Sequence, residues 1–267
     1  MSIFQAIIFG LIQGITEFFP ISSSGHLAIL PYLVKWPDPG LLFTVMLHFG
    51  TLAALIICFW RDWIKIFRAA FSPTTEYLGL PKSFLWYIIM ATIPGAIVGY
   101  FLENYAETTF RAPYIIAGTT IFFGLILFWA DRVGQKKRKM MDVTWLDSIL
   151  IGIAQALAVV PGVSRAGITM TTGLFRGLKR EDTARFSFIL ATPIIFGAWI
   201  FTLKDFLGQN GHNELVVSIV GFLVALISGI LAIRLLLNWL KKISFTPFVI
   251  YRLILGLIIL LIYFLRR

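Results

Sequence analysis

The chain has 267 residues, 58% of them apolar and only 13% charged, with a mean hydropathy of +0.87. Soluble domains carry about 45–50% apolar and roughly 25% charged residues, so this composition excludes a water-soluble enzyme or nucleic-acid binder and points to a bilayer as solvent. The net charge of +10 then reads as orientation in a membrane and contact with anionic lipid. MSIFQAIIFG has no basic residue before its apolar run, so no cleaved signal peptide is expected, and Cys58, the single cysteine, has no partner for an internal disulfide. In chain order, an apolar stretch over 3–19 carries Glu17, stops at Pro20 and is followed by a Gly/Ser-rich turn and a short apolar piece, 26–34. Spans long enough to cross about 30 Å of hydrocarbon follow at 41–60, 83–102 and 113–130. A basic linker, 131–144, contains QKKRK at 135–139. Next, 145–160 carries Asp147, stops at Pro161 and is followed by 166–175, and three further spans occupy 186–203, 215–233 and 247–265. A helix, a break at membrane depth and a second short helix describe a re-entrant hairpin, so hairpins are predicted over 3–34 and 145–175.

Shifting the sequence by 142 lays FQAIIFGLIQGITEFFPISSSG on LDSILIGIAQALAVVPGVSRAG without a gap, matching Gly10 with Gly152, Gln13 with Gln155, Ser22 with Ser164 and Gly25 with Gly167. Hairpin followed by three spans occurs twice. Three is odd, so the second copy is inserted upside down. The predicted fold class is therefore an all-α polytopic membrane protein with an inverted-topology repeat, 1–130 and 145–267, whose two breaks face one another at the midplane. If the hairpins do not cross, one face receives 15 Lys and Arg and the other 5. The positive-inside rule makes the first face cytoplasmic and puts both termini outside, with the first hairpin opening from the outer side. GLIQG at 10–14, GAIVG at 95–99 and GLFRG at 173–177 have the spacing of close helix packing and are given no further role.

Charged groups at membrane depth cost about 2.5–3.5 kcal/mol each, so Glu17 and Arg165 mark a candidate site. Gln13 and Glu17, four apart, share one helix face and suit a divalent cation that takes its other ligands from phosphate and water. The first break, PISSSGH, offers hydroxyls at Ser22 and Ser23, a backbone free to approach a ligand at Gly25, and His26 for proton transfer. His48 sits mid-span and His212 in a loop, and neither is assigned a role. The second break, PGVSRAGIT, offers Gly162, Ser164, Thr169 and the planar fork of Arg165. A Glu17–Arg165 pair locking the hairpins together is the structural alternative. A hydroxyl, an imidazole, a carboxylate and an anion site fit phosphoryl transfer, on a substrate with both phosphate and a long apolar tail.

GLIQGITEFFPISSSGH, PGVSRAGIT, FSFILATPIIFGA and ISFTPFVIYR resemble the membrane-integral undecaprenyl-diphosphate phosphatase family associated with bacitracin resistance. The resemblance implies removal of the terminal phosphate of undecaprenyl diphosphate, yielding the monophosphate lipid carrier of cell-wall peptidoglycan synthesis, with a divalent cation, Mg²⁺ or Ca²⁺. It places the family's (E/Q)xxxE element on Gln13 and Glu17, PxSSxGH on Pro20, Ser22, Ser23, Gly25 and His26, and PGxSRSxxT on Pro161, Gly162, Ser164, Arg165 and Thr169. Gln13 is the weaker permitted metal ligand, and Ala166 stands where the family commonly has a second serine. The expected roles are then catalysis by Glu17, Ser23, His26 and Arg165; diphosphate binding by Ser22, Gly162, Ser164, Arg165 and Thr169; and metal binding by Glu17 and Gln13. Ser23, His26 or water is the nucleophile. A polyprenyl-phosphate transporter or flippase is the rival reading, since broken helices in inverted repeats are also a transporter design. The expected setting is the cytoplasmic (inner) membrane, with the site at the outer leaflet and a homodimer as candidate oligomer.

Overall fold

The computed structural model describes residues 1–266 apart from 75, 78 and 208–211; of 76, 77, 103, 107, 201–207 and 212–214 only the backbone is described. The architecture is all-α. Two short helices, α1 (Ile3–Thr16) and α2 (Ser23–Val34), precede three long ones, α3 (Leu41–Ala70), α4 (Phe84–Glu107) and α5 (Pro113–Val133). The pattern then recurs with short α6 (Trp145–Ala156) and α7 (Arg165–Phe175) before long α8 (Arg180–Leu207), α9 (His212–Leu240) and α10 (Thr246–Leu265). Six helices among the described residues are long and apolar enough to cross a membrane, and each overlaps one of the six predicted spans. α3 runs ten residues beyond its predicted span because RDWIKIFRAA keeps helical spacing after the apolar run ends. A two-residue antiparallel hairpin, β1 (Glu76–Tyr77) and β2 (Leu80–Pro81), in the loop after α3 was not expected.

The breaks have local causes. α1 ends where Pro20 approaches, and Ser22 opens α2 by accepting from the Gly25 amide. α6 gives way to a 3₁₀ turn at Leu157–Val159 before Pro161, and Ser164 opens α7 by accepting from the Gly167 amide. Both capping serines sit at positive φ, 74° and 72°, a conformation that costs a non-glycine residue on the order of 1–3 kcal/mol and persists only where surroundings enforce it.

Small residues set the packing. α1 lies along α9, and α6 along α4. A Cβ on Gly14 would come within 2.0 Å of Ser228 Oγ and 2.6 Å of the Ala225 carbonyl, and one on Gly152 within 2.8 Å of the Ala91 carbonyl. With lipid tails as apolar as leucine, such close backbone approach rather than apolar burial drives association. Large side chains such as Phe4, Phe101, Trp129 and Leu257 accordingly face outward, while Phe18, Phe59 and Phe188 pack in the interior, Phe18 edge-on to Phe188 at 5.4 Å. At the basic-loop end, buried Asp147 accepts from Arg138 at 2.6 Å, from Arg176 at 2.5 Å and from Thr144. Burial alone would raise the Asp147 carboxyl, but these donors hold it well below the usual carboxylate range. Asp131 there ties Arg180, at 2.6 Å, to the Phe245 amide, at 3.0 Å, joining the α5 end to the start of α10.

Candidate active site

The two breaks, far apart in sequence, meet. Ser22 Oγ accepts from the Gly162 amide at 3.0 Å, and Thr119 Oγ1 donates to the Pro161 carbonyl at 2.7 Å. Gly162 holds φ +93°, and a Cβ there would sit 2.1 Å from Thr119 Oγ1, so only glycine fits. Arg252 on α10 binds both breaks. Fully buried, it donates Nη1 to the Pro20 and Val163 carbonyls, Nη2 to Gly162, Val163 and Thr119, and Nε to Thr120. It makes no ion pair among the described residues; carbonyl dipoles drawn from both halves take the place of a counter-ion. Gly124 and Gly167 make room for it, since a Cβ on either would lie 3.0–3.3 Å from its side chain.

Beside this junction, Glu17 gathers four side chains. Its Oε1 accepts from Arg165 Nη2 at 2.6 Å; its Oε2 accepts from Ser23 Oγ at 2.6 Å and Gln13 Nε2 at 3.0 Å and lies 3.6 Å from His48 Nε2. Arg165 also donates Nη1 to the Ser187 carbonyl at 3.2 Å. Glu17 and Arg165 thus form the ion pair that the sequence offers as an alternative, nearly buried on both sides, and Ser23 hangs on the same carboxylate at the first turn of α2. A short charge-assisted bond from a hydroxyl to a carboxylate orients that oxygen and draws on its proton. The first-turn amides of α2 and α7, next to Ser23 and Arg165, supply the partial positive charge that favours an anion.

The remaining expected residues take other positions. His26 is 9% exposed, with Nδ1 2.6 Å from the Ser22 carbonyl and Nε2 2.6 Å from the Tyr251 hydroxyl, the two rings stacked 8° from parallel. A carbonyl only accepts, so Nδ1 bears the hydrogen and Nε2 receives the Tyr251 proton. The hydrogen bond of Ser23 goes to Glu17, and those of His26 go to Ser22 and Tyr251. Ser22 and Ser164 use their hydroxyls as helix caps, and buried Thr169 bonds the Arg165 and Ala166 carbonyls and Ser187 Oγ at 2.7 Å. These three shape the backbone around Arg165. Sequence reasoning missed His48, Tyr251, Ser187 and Arg252; of these, Arg252 carried a signal, as the one charged residue in the last span.

The donors also suit a hard divalent cation. Gln13 Oε1 is buried without a hydrogen-bond partner, one atom away from an amide that already faces the Glu17 carboxylate. No group of three His, Cys, Asp or Glu that could hold a metal ion gathers among the described residues, so phosphate oxygens and water would complete the shell, the pattern usual for Mg²⁺.

Known proteins match the chain along its whole length. The chain is 48% identical over 271 aligned residues to the undecaprenyl-diphosphatase of Moorella thermoacetica, with all of both chains covered. It is 44% identical over 267 residues to that of Desulforudis audaxviator, again with both chains fully covered. To that of Pelotomaculum thermopropionicum it is 42% identical over 262 residues, 98% of this chain and 97% of the relative. Residues 6–258 match the family model described as bacitracin resistance protein BacA, a stretch that takes in both breaks, the Glu17 cluster and Arg252. The chain therefore belongs to the BacA family of bacitracin resistance proteins.

Proposed function

We propose that this multi-pass membrane protein is an undecaprenyl-diphosphate phosphatase whose active site is the junction of the two breaks. The observation that carries the reading is the convergence of Ser23, Glu17 and Arg165 through bonds of 2.6 Å, in a chain similar along its full length to proteins named undecaprenyl-diphosphatase. Ser23 contributes a hydroxyl that binding alone does not need.

Arg165 and the first-turn amides of α2 and α7 hold the diphosphate, with Ser22, Gly162, Ser164 and Thr169 fixing the backbone that presents them. Ser23 Oγ attacks the terminal phosphorus and gives its proton to Glu17 Oε2. The bond from that phosphorus to the bridging oxygen breaks, and the lipid monophosphate leaves with the bridging electron pair, its charge met by Arg165. Water then attacks the phosphoserine, passing its proton to His26 Nε2 in place of the Tyr251 hydroxyl. The bond from phosphorus to Ser23 Oγ breaks, Glu17 returns its proton to that oxygen, and inorganic phosphate departs, the His26 proton passing to solvent. Glu17 and Gln13 would hold Mg²⁺ or Ca²⁺, which supplies charge neutralisation on the phosphate oxygens.

Several observations support an inverted repeat with re-entrant hairpins. α1 and α2 have 14 and 12 residues, and α6 and α7 have 12 and 11, so each reaches about 17–21 Å, short of a 30 Å crossing. Ser22 and Ser164 share φ, capping role and place in the motif, and the pairing of α1 with α9 is answered by that of α6 with α4. On the positive-inside rule the termini lie outside and the site opens to the outer leaflet of the cytoplasmic membrane.

Purified protein in detergent, with no second compartment, should release phosphate from undecaprenyl diphosphate, and Ser23→Ala should slow release at least about 100-fold. Binding without hydrolysis in detergent, with movement of the lipid across vesicle bilayers, would replace the enzyme by a transporter.

A further inference from the structure

His48 lies on α3 in the middle of a span, where its sequence position suggests no task. Its surroundings give it one. Nδ1 is 2.9 Å from the Thr44 carbonyl, one turn earlier on the same helix. Since that carbonyl accepts, Nδ1 carries a ring hydrogen, and Nε2, the nitrogen left to bind an ion, faces Glu17 Oε2 at 3.6 Å. A second ring nitrogen pinned by a backbone carbonyl is the arrangement in which histidines bind metal ions.

The separation is informative. At 3.6 Å, Nε2 and Oε2 are too far apart for a hydrogen bond. Two ligands held at about 2.1 Å on one ion, roughly 90–110° apart, lie about 3.0–3.5 Å from each other, close to what the pair shows. The third donor is next to them. Gln13 turns its amide nitrogen to Oε2 and leaves Oε1 buried without a partner; a half-turn of the amide, which exchanges two atoms of nearly equal size, puts that oxygen beside Glu17 Oε2 and next to any cation there.

We infer that His48 is a ligand of the divalent cation in this chain, completing with Glu17 and Gln13 a facing set of one nitrogen and two oxygens. The inference rests on the reading of Glu17 as a cation ligand. It gives the site its third protein donor where Gln13 is the weaker of the two residues permitted by the family motif. It also sets the chemical preference: an imidazole suits first-row ions such as Mn²⁺ better than it suits Ca²⁺, which takes oxygen ligands. Glu17 keeps its bond to Arg165 through Oε1, while Ser23 and the cation share Oε2.

Pulsed electron paramagnetic resonance of Mn²⁺ bound to the detergent-solubilised protein tests this without a turnover assay. The wild type should show coupling to a coordinated ¹⁴N. That coupling should survive in His26→Gln, vanish in His48→Gln, and convert to ¹⁵N coupling in wild-type protein labelled with ¹⁵N-imidazole histidine. Mn²⁺ affinity should fall at least about tenfold in His48→Gln, with a smaller change for Ca²⁺. The labelled wild type needs no variant to fold. Oxygen-only coordination in the wild type, or nitrogen coupling that persists in His48→Gln, overturns the inference. Glu17→Gln separates the two levels: if it abolishes Mn²⁺ binding while His48→Gln leaves the spectrum unchanged, only the role of His48 falls; if Mn²⁺ binds undiminished in Glu17→Gln, the cation site itself is misplaced.

Discussion

Replacing Arg252 with methionine removes one guanidinium of similar length and should undo the meeting of the two breaks. Six hydrogen bonds to five carbonyls are lost. The Thr119 and Thr120 carbonyls lie inside α5 and keep their helical partners, so they lose little. The Pro20, Gly162 and Val163 carbonyls lie outside any helix and have no other donor among the described residues. An unsatisfied buried carbonyl costs about 1–3 kcal/mol, so three of them account for roughly 3–9 kcal/mol. Removing a buried cation without an acidic partner gives part of that back, since its desolvation is no longer needed. The expected net loss is about 3–5 kcal/mol, or roughly 6–15 °C in the unfolding midpoint of a chain this size. Arg252→Lys keeps the charge but reaches fewer carbonyls and should recover part of the loss. Thermal unfolding in detergent reads the stability, and phosphate release reads the geometry of the breaks, which should degrade in both variants in the same order. A methionine variant within about 2 °C of wild type and with full turnover would refute the reasoning: the breaks would then be held by Ser22, Thr119 and helix packing alone.

Two further outcomes follow from the same geometry. The folded Asp147 carboxyl titrates below the ordinary aspartate value of about 3.9, so its stabilisation is complete above that pH and is lost as the pH falls beneath it. Asp147→Asn should therefore lower stability at neutral pH by about 1–3 kcal/mol, the range left after allowing for the partly exposed Arg138 and Arg176, and should flatten the acid limb of the stability profile; an unchanged limb would show that the carboxylate has no depressed titration. Gly162→Ala combines positive φ with a clash against Thr119 Oγ1 and the Ile116 carbonyl, whereas Gly40→Ala has positive φ in open space. Thermal unfolding should show a loss of about 2–4 kcal/mol for the first and about 1–2 for the second, and equal losses would mean that crowding at the junction contributes nothing.

How much of this was legible beforehand follows from how far each signal reaches along the chain. Lipid as solvent forces spans to be long and apolar, so the six long helices were plain from composition, and Pro20 and Pro161 stop their helices by local sterics. Glu17 and Arg165 stood out because charge is scarce at that depth. What composition and spacing could not give is who meets whom. The carbonyls held by Arg252 lie 89 to 232 residues away along the chain and have no side-chain signature. His48 looked like an ordinary mid-span residue because its partner Glu17 sits on another helix. Ser164 and Thr169 resemble ligand hydroxyls in a motif, and only folded geometry reveals that their hydrogen bonds go to the backbone and Ser187. The beginning of α3 was visible but its end was not, since helical spacing continues through Arg61 and Asp62 after hydropathy stops reporting.

The central claim is that one catalytic unit is assembled from both breaks, and the rate of phosphate release in a double-mutant cycle between Ser23 and Arg165 tests it most directly. These residues come from different breaks and share only Glu17. Ser23→Ala and Arg165→Gln should each slow release from undecaprenyl diphosphate at least about 100-fold, and the double variant should be no slower than the slower single one, because residues that act as a unit are lost together. Full activity in either single variant, or losses that multiply in the double, would contradict a single site at the junction.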